Sequence, residues 1–228
     1  VSGRLLFVRH GVTDWNREGR FQGHLDPRLS DEGHAEARLV AERIAADGDL
    51  RPGRLISSPL SRARETADAI RATCADDDLQ VELDDRLMEV GQGEWEGRTH
   101  AELAIEDAAR YAAWRTATWD RQPPGGEPLT AAVERIRAGL DEAIRGSDRA
   151  RAWPLCIVSH GGTLRLAAHA LLEIPIERAW RLDVDNASLS MMDRLDGRWR
   201  LVTWNDGAHL LGRGPVHVDE DDGQALAL

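Results

Sequence analysis

Short apolar runs alternate along this chain with longer segments of helical spacing. Leu5-Leu6-Phe7-Val8 is apolar at consecutive positions and closes before a glycine, Gly11, which predicts a buried strand. Arg54-Leu55-Ile56-Ser57 and Leu155-Cys156-Ile157-Val158-Ser159 read the same way. Leu79 to Leu83 alternates apolar and polar residues, as a half-buried strand does. From Asp31 to Asp47, Ala35, Leu39, Val40 and Ile44 recur at helical spacing, with Ser30 placed to cap the helix and Gly33 as a weak point in its first turn.

Pro59 predicts the first turn of a helix running to about Thr73, because a first-turn N–H has no helical partner to lose. Thr99 to Trp119 is helical in composition and is broken by Pro123-Pro124-Gly125-Gly126. A long helix is expected from about Pro128 to Arg145, and another after His160 to about Leu172. Ala187 to Arg194 and Trp199 to Trp204 predict a hairpin around Asp196-Gly197. The Gly-rich, acidic stretch from Gly212 to Leu228 is expected to be a disordered tail.

Strands alternating with helices define an α/β class with a mainly parallel sheet. In such sheets ligands sit beyond the carboxyl ends of the strands. Arg9-His10 and His160 each follow a strand's last apolar residue, Arg62 falls early in the helix after the second strand, and Glu89 lies in the loop after the third. The pattern thus delivers four reactive residues to one edge of the sheet.

Composition narrows the partners. The formal net charge of −11 leaves no basic face for a nucleic acid. No run of about 18 apolar residues occurs, so no membrane partner is expected. The segment from Val1 carries neither a basic leader nor a small-residue cleavage site, so no secretion signal is read there. Two cysteines, Cys74 and Cys156, lie far apart with no metal-ligand spacing, which points to a reducing cytoplasm. All 29 basic residues are arginine, which removes a Schiff-base lysine and a P-loop lysine from consideration. A homodimer is left open.

A neutral imidazole can attack phosphorus and form a phosphohistidine, and arginine forks clamp the phosphoryl oxygens. Arg9-His10-Gly11 with Thr13 and Asn16 resembles the signature of the histidine phosphatase superfamily, whose members include cofactor-dependent phosphoglycerate mutases. Ser57-Ser58-Pro59-Leu60-Ser61-Arg62-Ala63-Arg64-Glu65-Thr66-Ala67, Glu89 with Gly93-Glu94-Trp95-Glu96-Gly97, and Val158-Ser159-His160-Gly161-Gly162 are similar to three further motifs of that family, in order. Gln22-Gly23, Pro124-Gly125-Gly126-Glu127 and Asn186 with Ser188 are weaker echoes.

The resemblance implies a phosphoglycerate mutase-like three-layer sandwich over residues 1–211, with about 99–128 as a helical cap and 212–228 as the tail. It implies His10 as nucleophile and Glu89 as general acid, then base. It assigns phosphate binding to Arg9, Asn16, Gln22, Arg62, His160 and the backbone of Gly161. The expected reaction is hydrolysis of a small-molecule phosphate ester, with mutase activity and a silent binding module as alternatives. The Gly-Glu-Trp-Glu-Gly run favours the phosphatase branch. Gly91-Gln92 and Pro128 depart from that branch near the expected substrate pocket. On ligand type alone His10, His160 and Glu89 also match zinc, but the neighbouring arginines oppose a cation. No metal or cofactor is called for.

Overall fold

The computed structural model describes residues 3–76, 78–116, 122–150 and 152–211. Asp77, Trp119 and the acidic tail expected after residue 211 lie outside the described residues.

Among the described residues six strands form one sheet in the order β3-β2-β4-β1-β5-β6. Strands β1 (Arg4–Arg9), β2 (Arg54–Ser57), β3 (Val81–Leu83) and β4 (Leu155–Ser159) are parallel; β5 (Leu189–Leu195) runs antiparallel to β1 and β6 (Arg198–Asp206) antiparallel to β5. The β5–β6 turn places Asp196 and Gly197 at φ 51° and 78°, the left-handed pair that a tight hairpin requires.

The consecutive apolar positions of β1 and β4 are explained by helices on both faces. Leu5, Phe7, Leu155 and Ile157 point into a core shared with α6 (Leu129–Ala150) and α7 (Gly161–Leu172). Leu6, Val8, Cys156 and Val158 point into a second core shared with α2 (Asp31–Ala46) and α3 (Ser61–Cys74). Side chains alternate across a strand, so a strand buried on both faces cannot spare a polar position. The result is the expected mainly parallel α/β sandwich of three layers.

Several local expectations are corrected. Pro59 is not in the first turn of α3, which starts at Ser61 after the cap residue Leu60. Asp26 draws the chain in there, its carboxylate accepting from Ser61 N at 2.6 Å and Ser61 Oγ at 2.8 Å. The helix expected over 99–119 is two, α4 (His100–Glu106) and α5 (Ala108–Thr116). The break falls at Asp107, whose carboxylate accepts from Trp95 Nε1 at 2.9 Å and Arg110 Nε at 2.8 Å. β3 is a short edge strand, with Leu79 buried before it and Leu83 exposed. Two short helices had no sequence signal strong enough to be read: α1 (Asp14–Glu18) and α8 (Ile176–Ala179).

Candidate active site

Strand register brings the two histidines together. β1 and β4 are neighbours with Arg9 opposite Ser159, so the next residue on each, His10 and His160, leaves the sheet at the same edge. Their rings lie 5.2 Å apart, centroid to centroid. Backbone bonds hold His10 from both sides: its N–H donates to Ser159 O at 3.0 Å, and its carbonyl accepts from Ala187 N at 3.1 Å and Asn186 Nδ2 at 3.0 Å.

The hydrogen bonds define both tautomers. His10 Nδ1 lies 2.7 Å from the carbonyl of Gly11, which can only accept. Nδ1 therefore carries the proton and Nε2 the lone pair. His160 Nδ1 accepts from Arg62 Nε at 3.2 Å, so the His160 proton is on Nε2 and is donated to Ser58 Oγ at 2.8 Å. Burial, then the charges of Arg62 and Arg9, holds the His10 imidazole well below the usual histidine range. His160 is lowered by burial first and Arg62 second. Both rings are neutral at pH 7.

The arginines converge on the same place. Arg62 is fully buried and donates Nη1 to Leu25 O and Nη2 to Gly23 O, both at 2.9 Å, besides its bond to His160. Arg9 donates Nη1 to Val184 O at 2.6 Å, and its guanidinium packs against Gly161, where an added Cβ would lie 3.5 Å from Arg9 Cζ. Arg64 pairs at the surface with Asp68 instead. Asn16 is buried and turns its Oδ1 to Thr13 N and Thr13 Oγ1 in a capping box, which orients the amide nitrogen away from that bond. Gly161 opens α7, so its N–H belongs to the unpaired first turn of a helix, where anions are favoured.

Glu89 is held at the same helix end. Its carboxylate accepts from Gly162 N at 3.2 Å, Thr163 N at 3.1 Å and Val90 N at 2.8 Å. A Cβ on Gly162 would sit 2.7 Å from Glu89 Oε1, so any side chain there would displace the carboxylate.

Other supporting residues were not singled out from sequence. Arg135, on α6, donates to three carbonyls of the Glu89 loop, those of Arg86, Met88 and Glu89, at 2.8–3.0 Å, while gripping Glu127 at 2.6 and 2.7 Å. His24 Nε2 bonds the Glu89 carbonyl at 2.9 Å. Thr66 Oγ1 accepts from Gly11 N at 3.1 Å and Glu36 Oε2 from Val12 N at 2.7 Å. Glu127 carried a sequence signal in the Gly-Gly-Glu echo and Thr66 in the second motif; Arg135, His24 and Glu36 are ordinary helix or loop residues until the chain is folded. Glu94 pairs with Arg110 at the surface, and Glu96 holds the loop backbone at His24 N and Gln92 N.

An open pocket adjoins this cluster. Gln22, Gly23, Glu89 and Gly162 belong to its wall, and Phe21, Trp114, Pro123, Leu129 and Trp180 add aromatic and apolar surface. Among the described residues no helix is long and apolar enough to cross a membrane, and no group of three or more His, Cys, Asp or Glu side chains is placed to hold a metal ion.

The neutral histidines make stability pH-dependent. A histidine lowered in the folded state contributes stability that is fully present above the unfolded value near 6.5 and is lost as pH falls below it. Unfolding free energy will therefore drop by about 1.4 kcal/mol per pH unit for each of His10 and His160 below that point. Urea denaturation at pH 7.5, 6.5 and 5.5 measures this, and His160→Gln should flatten the slope. A midpoint that holds steady on acidification would mean that the rings take up protons in the fold as readily as in the unfolded chain.

Comparison with known proteins agrees with the geometry. The histidine phosphatase superfamily (branch 1) matches residues 5–207. The chain is 34% identical over 223 residues to a glucosyl-3-phosphoglycerate phosphatase of Mycobacterium tuberculosis, covering 91% of this chain and 96% of that one. It is 31% identical over 210 residues to phosphoserine phosphatase 1 of Hydrogenobacter thermophilus, covering 91% and 94%. The solved structure of a mycobacterial glucosyl-3-phosphoglycerate phosphatase complexed with VO3 superposes with a TM-score of 0.76 at 33% identity, over 89% of this chain and 98% of that one. With four motifs on one sheet edge and a match across most of its length, this chain belongs to the histidine phosphatase superfamily, branch 1.

Proposed function

We propose that the chain is a phosphomonoesterase that hydrolyses a small phosphorylated metabolite through a phosphohistidine intermediate. The observation that carries the reading is the His10 tautomer: Nδ1–H is tied to the Gly11 carbonyl, so a neutral Nε2 is the nucleophile. Family membership and relatives bearing phosphatase names support it.

In the first step His10 Nε2 bonds to phosphorus as the ester P–O bond breaks. The leaving oxygen takes a proton from Glu89 in its carboxylic acid form. Arg9, Arg62, Asn16, Gln22 and the Gly161 N–H hold the phosphoryl oxygens. The incoming dianion counters the two arginines and lets His160 take up a proton from solvent at Nδ1, which then donates to phosphate in place of accepting from Arg62. In the second step water attacks phosphorus, its proton passes to the Glu89 carboxylate, and the P–N bond breaks to release phosphate.

Residues 1–211 form the catalytic unit in this reading. Over about 99–128, α4 and α5 act as a cap that presents Trp114 to the organic part of the substrate. Two buried free cysteines are in keeping with a reducing cytosol.

The test is release of phosphate from aryl and alkyl phosphates in the presence of chelator, with and without Glu89→Gln. The variant is expected to lose about 100-fold or more on alkyl esters, whose leaving oxygen needs the proton, and under about tenfold on p-nitrophenyl phosphate. Equal losses on both would remove Glu89 as the acid. Net conversion of 3-phosphoglycerate to 2-phosphoglycerate faster than hydrolysis would make the chain a mutase.

A further inference from the structure

Among the described residues, the wall of the pocket contains one arginine, Arg165, beside two carboxylates, Glu89 and Glu127. Glu127 is neutralised by Arg135, which grips it through Nε and Nη2 at 2.6 and 2.7 Å. Arg165 has no such partner. It is half-buried on α7, donates Nε to Leu182 O at 2.8 Å, and holds its Cζ 5.9 Å from the centre of the Trp180 ring. Among the described residues no carboxylate pairs with it. A partly desolvated guanidinium without a counter-ion is unfavourable, and a ligand anion would offset that. With Nε committed, the edge that remains is the pair of Nη groups, whose parallel N–H donors match a carboxylate.

We propose that Arg165 is a specificity-determining residue that selects phosphate esters carrying a carboxylate, such as phosphorylated hydroxy acids. The inference rests on the phosphatase reading of the same site. Position supports it: Arg165 lies three residues beyond Gly162, on the same face of α7 at roughly 5–6 Å. Gly162 N holds Glu89, the group that meets the leaving oxygen. A carboxylate a few bonds from the ester oxygen therefore reaches Arg165 while phosphorus stays at His10.

Glycerol 3-phosphate and 3-phosphoglycerate differ only in whether the terminal carbon is a hydroxymethyl or a carboxylate, so they isolate the effect. Titration calorimetry on the full chain carrying His10→Ala measures binding without turnover. The carboxylated ester is expected to bind about 10- to 100-fold more tightly. Adding Arg165→Met, which keeps the stem against Trp180, should bring the two affinities within about threefold, and Arg165→Lys should retain part of the preference. Equal affinities in His10→Ala, binding of neither ester, or a preference that survives Arg165→Met would overturn the proposal. If Arg165→Met does not fold, the Arg165→Lys ratio and the parent ratio decide. The wild-type chain is assayed in parallel on p-nitrophenyl phosphate: turnover there without ester discrimination sinks this inference alone, whereas no turnover sinks the phosphatase reading.

Discussion

Replacing His10 with alanine will lower phosphatase turnover by a factor on the order of 10⁴, with the fold intact. The reasoning starts from the backbone. His10 is held in place by its own N–H to Ser159 and its carbonyl to Ala187 and Asn186, and none of these bonds uses the imidazole. The side chain itself contributes one hydrogen bond, to Gly11 O, worth about 1 kcal/mol. Removing it costs little stability but removes the atom proposed as the nucleophile. The arginines would still bind phosphate, so affinity for inorganic phosphate or vanadate should fall far less than turnover. Rapid quench with labelled ester should trap an acid-labile phosphoenzyme in the wild type and none in His10→Ala. Turnover by the variant within tenfold of wild type, or a trapped phosphoenzyme in it, would show that another group is the nucleophile.

The second large effect falls on stability: Gly33→Ala will destabilise the fold by about 3 kcal/mol or more. Helix propensity alone predicts the opposite sign, a gain of about 1 kcal/mol for alanine over glycine. Packing reverses it. A Cβ on Gly33 would stand 2.0 Å from Val12 O and 3.0 Å from Val12 N. Val12 cannot retreat cheaply, because its carbonyl accepts from Ser30 N and Ser30 Oγ, both at 3.1 Å, and its N–H is held by Glu36. Gly11 makes the reciprocal approach, with an added Cβ at 2.4 Å from Gly33 O. α2 and the loop that carries His10 are thus in direct backbone contact. Urea denaturation should show a lower midpoint for Gly33→Ala, accompanied by loss of turnover as the loop shifts. A raised midpoint would mean that the contact relaxes and propensity wins.

These two cases mark what was readable in the chain and what was not. The consecutive apolar residues of Leu5–Val8 and Leu155–Val158 announce strands buried on both faces, since burial demands apolar character at every position. The His-Gly that follows each run is equally legible, because strand ends of a parallel sheet point one way. Gly33 read as a flaw in a helix, and only the approach of Val12 reveals it as a contact. Asp107 breaks a helix that composition favours, because its carboxylate is drawn to Trp95 and Arg110. Arg135 and Arg165 looked like any arginine on a helix.

The amino-acid sequence alone determined the class of fold and the order of its main elements, and it singled out the candidate reacting groups. Each of these follows from local burial patterns or from side-chain chemistry, which neighbours along the chain report. Tertiary structure decided the register that sets His10 beside His160, the tautomers of both rings, the clamp of Arg135 on the Glu89 loop and the place of Arg165 in the pocket wall. Apart from the contact of His10 with its neighbour Gly11, those depend on groups separated by tens to more than a hundred residues, and a hydrogen bond or a desolvation effect exists only once folding has brought its two ends within a few ångströms.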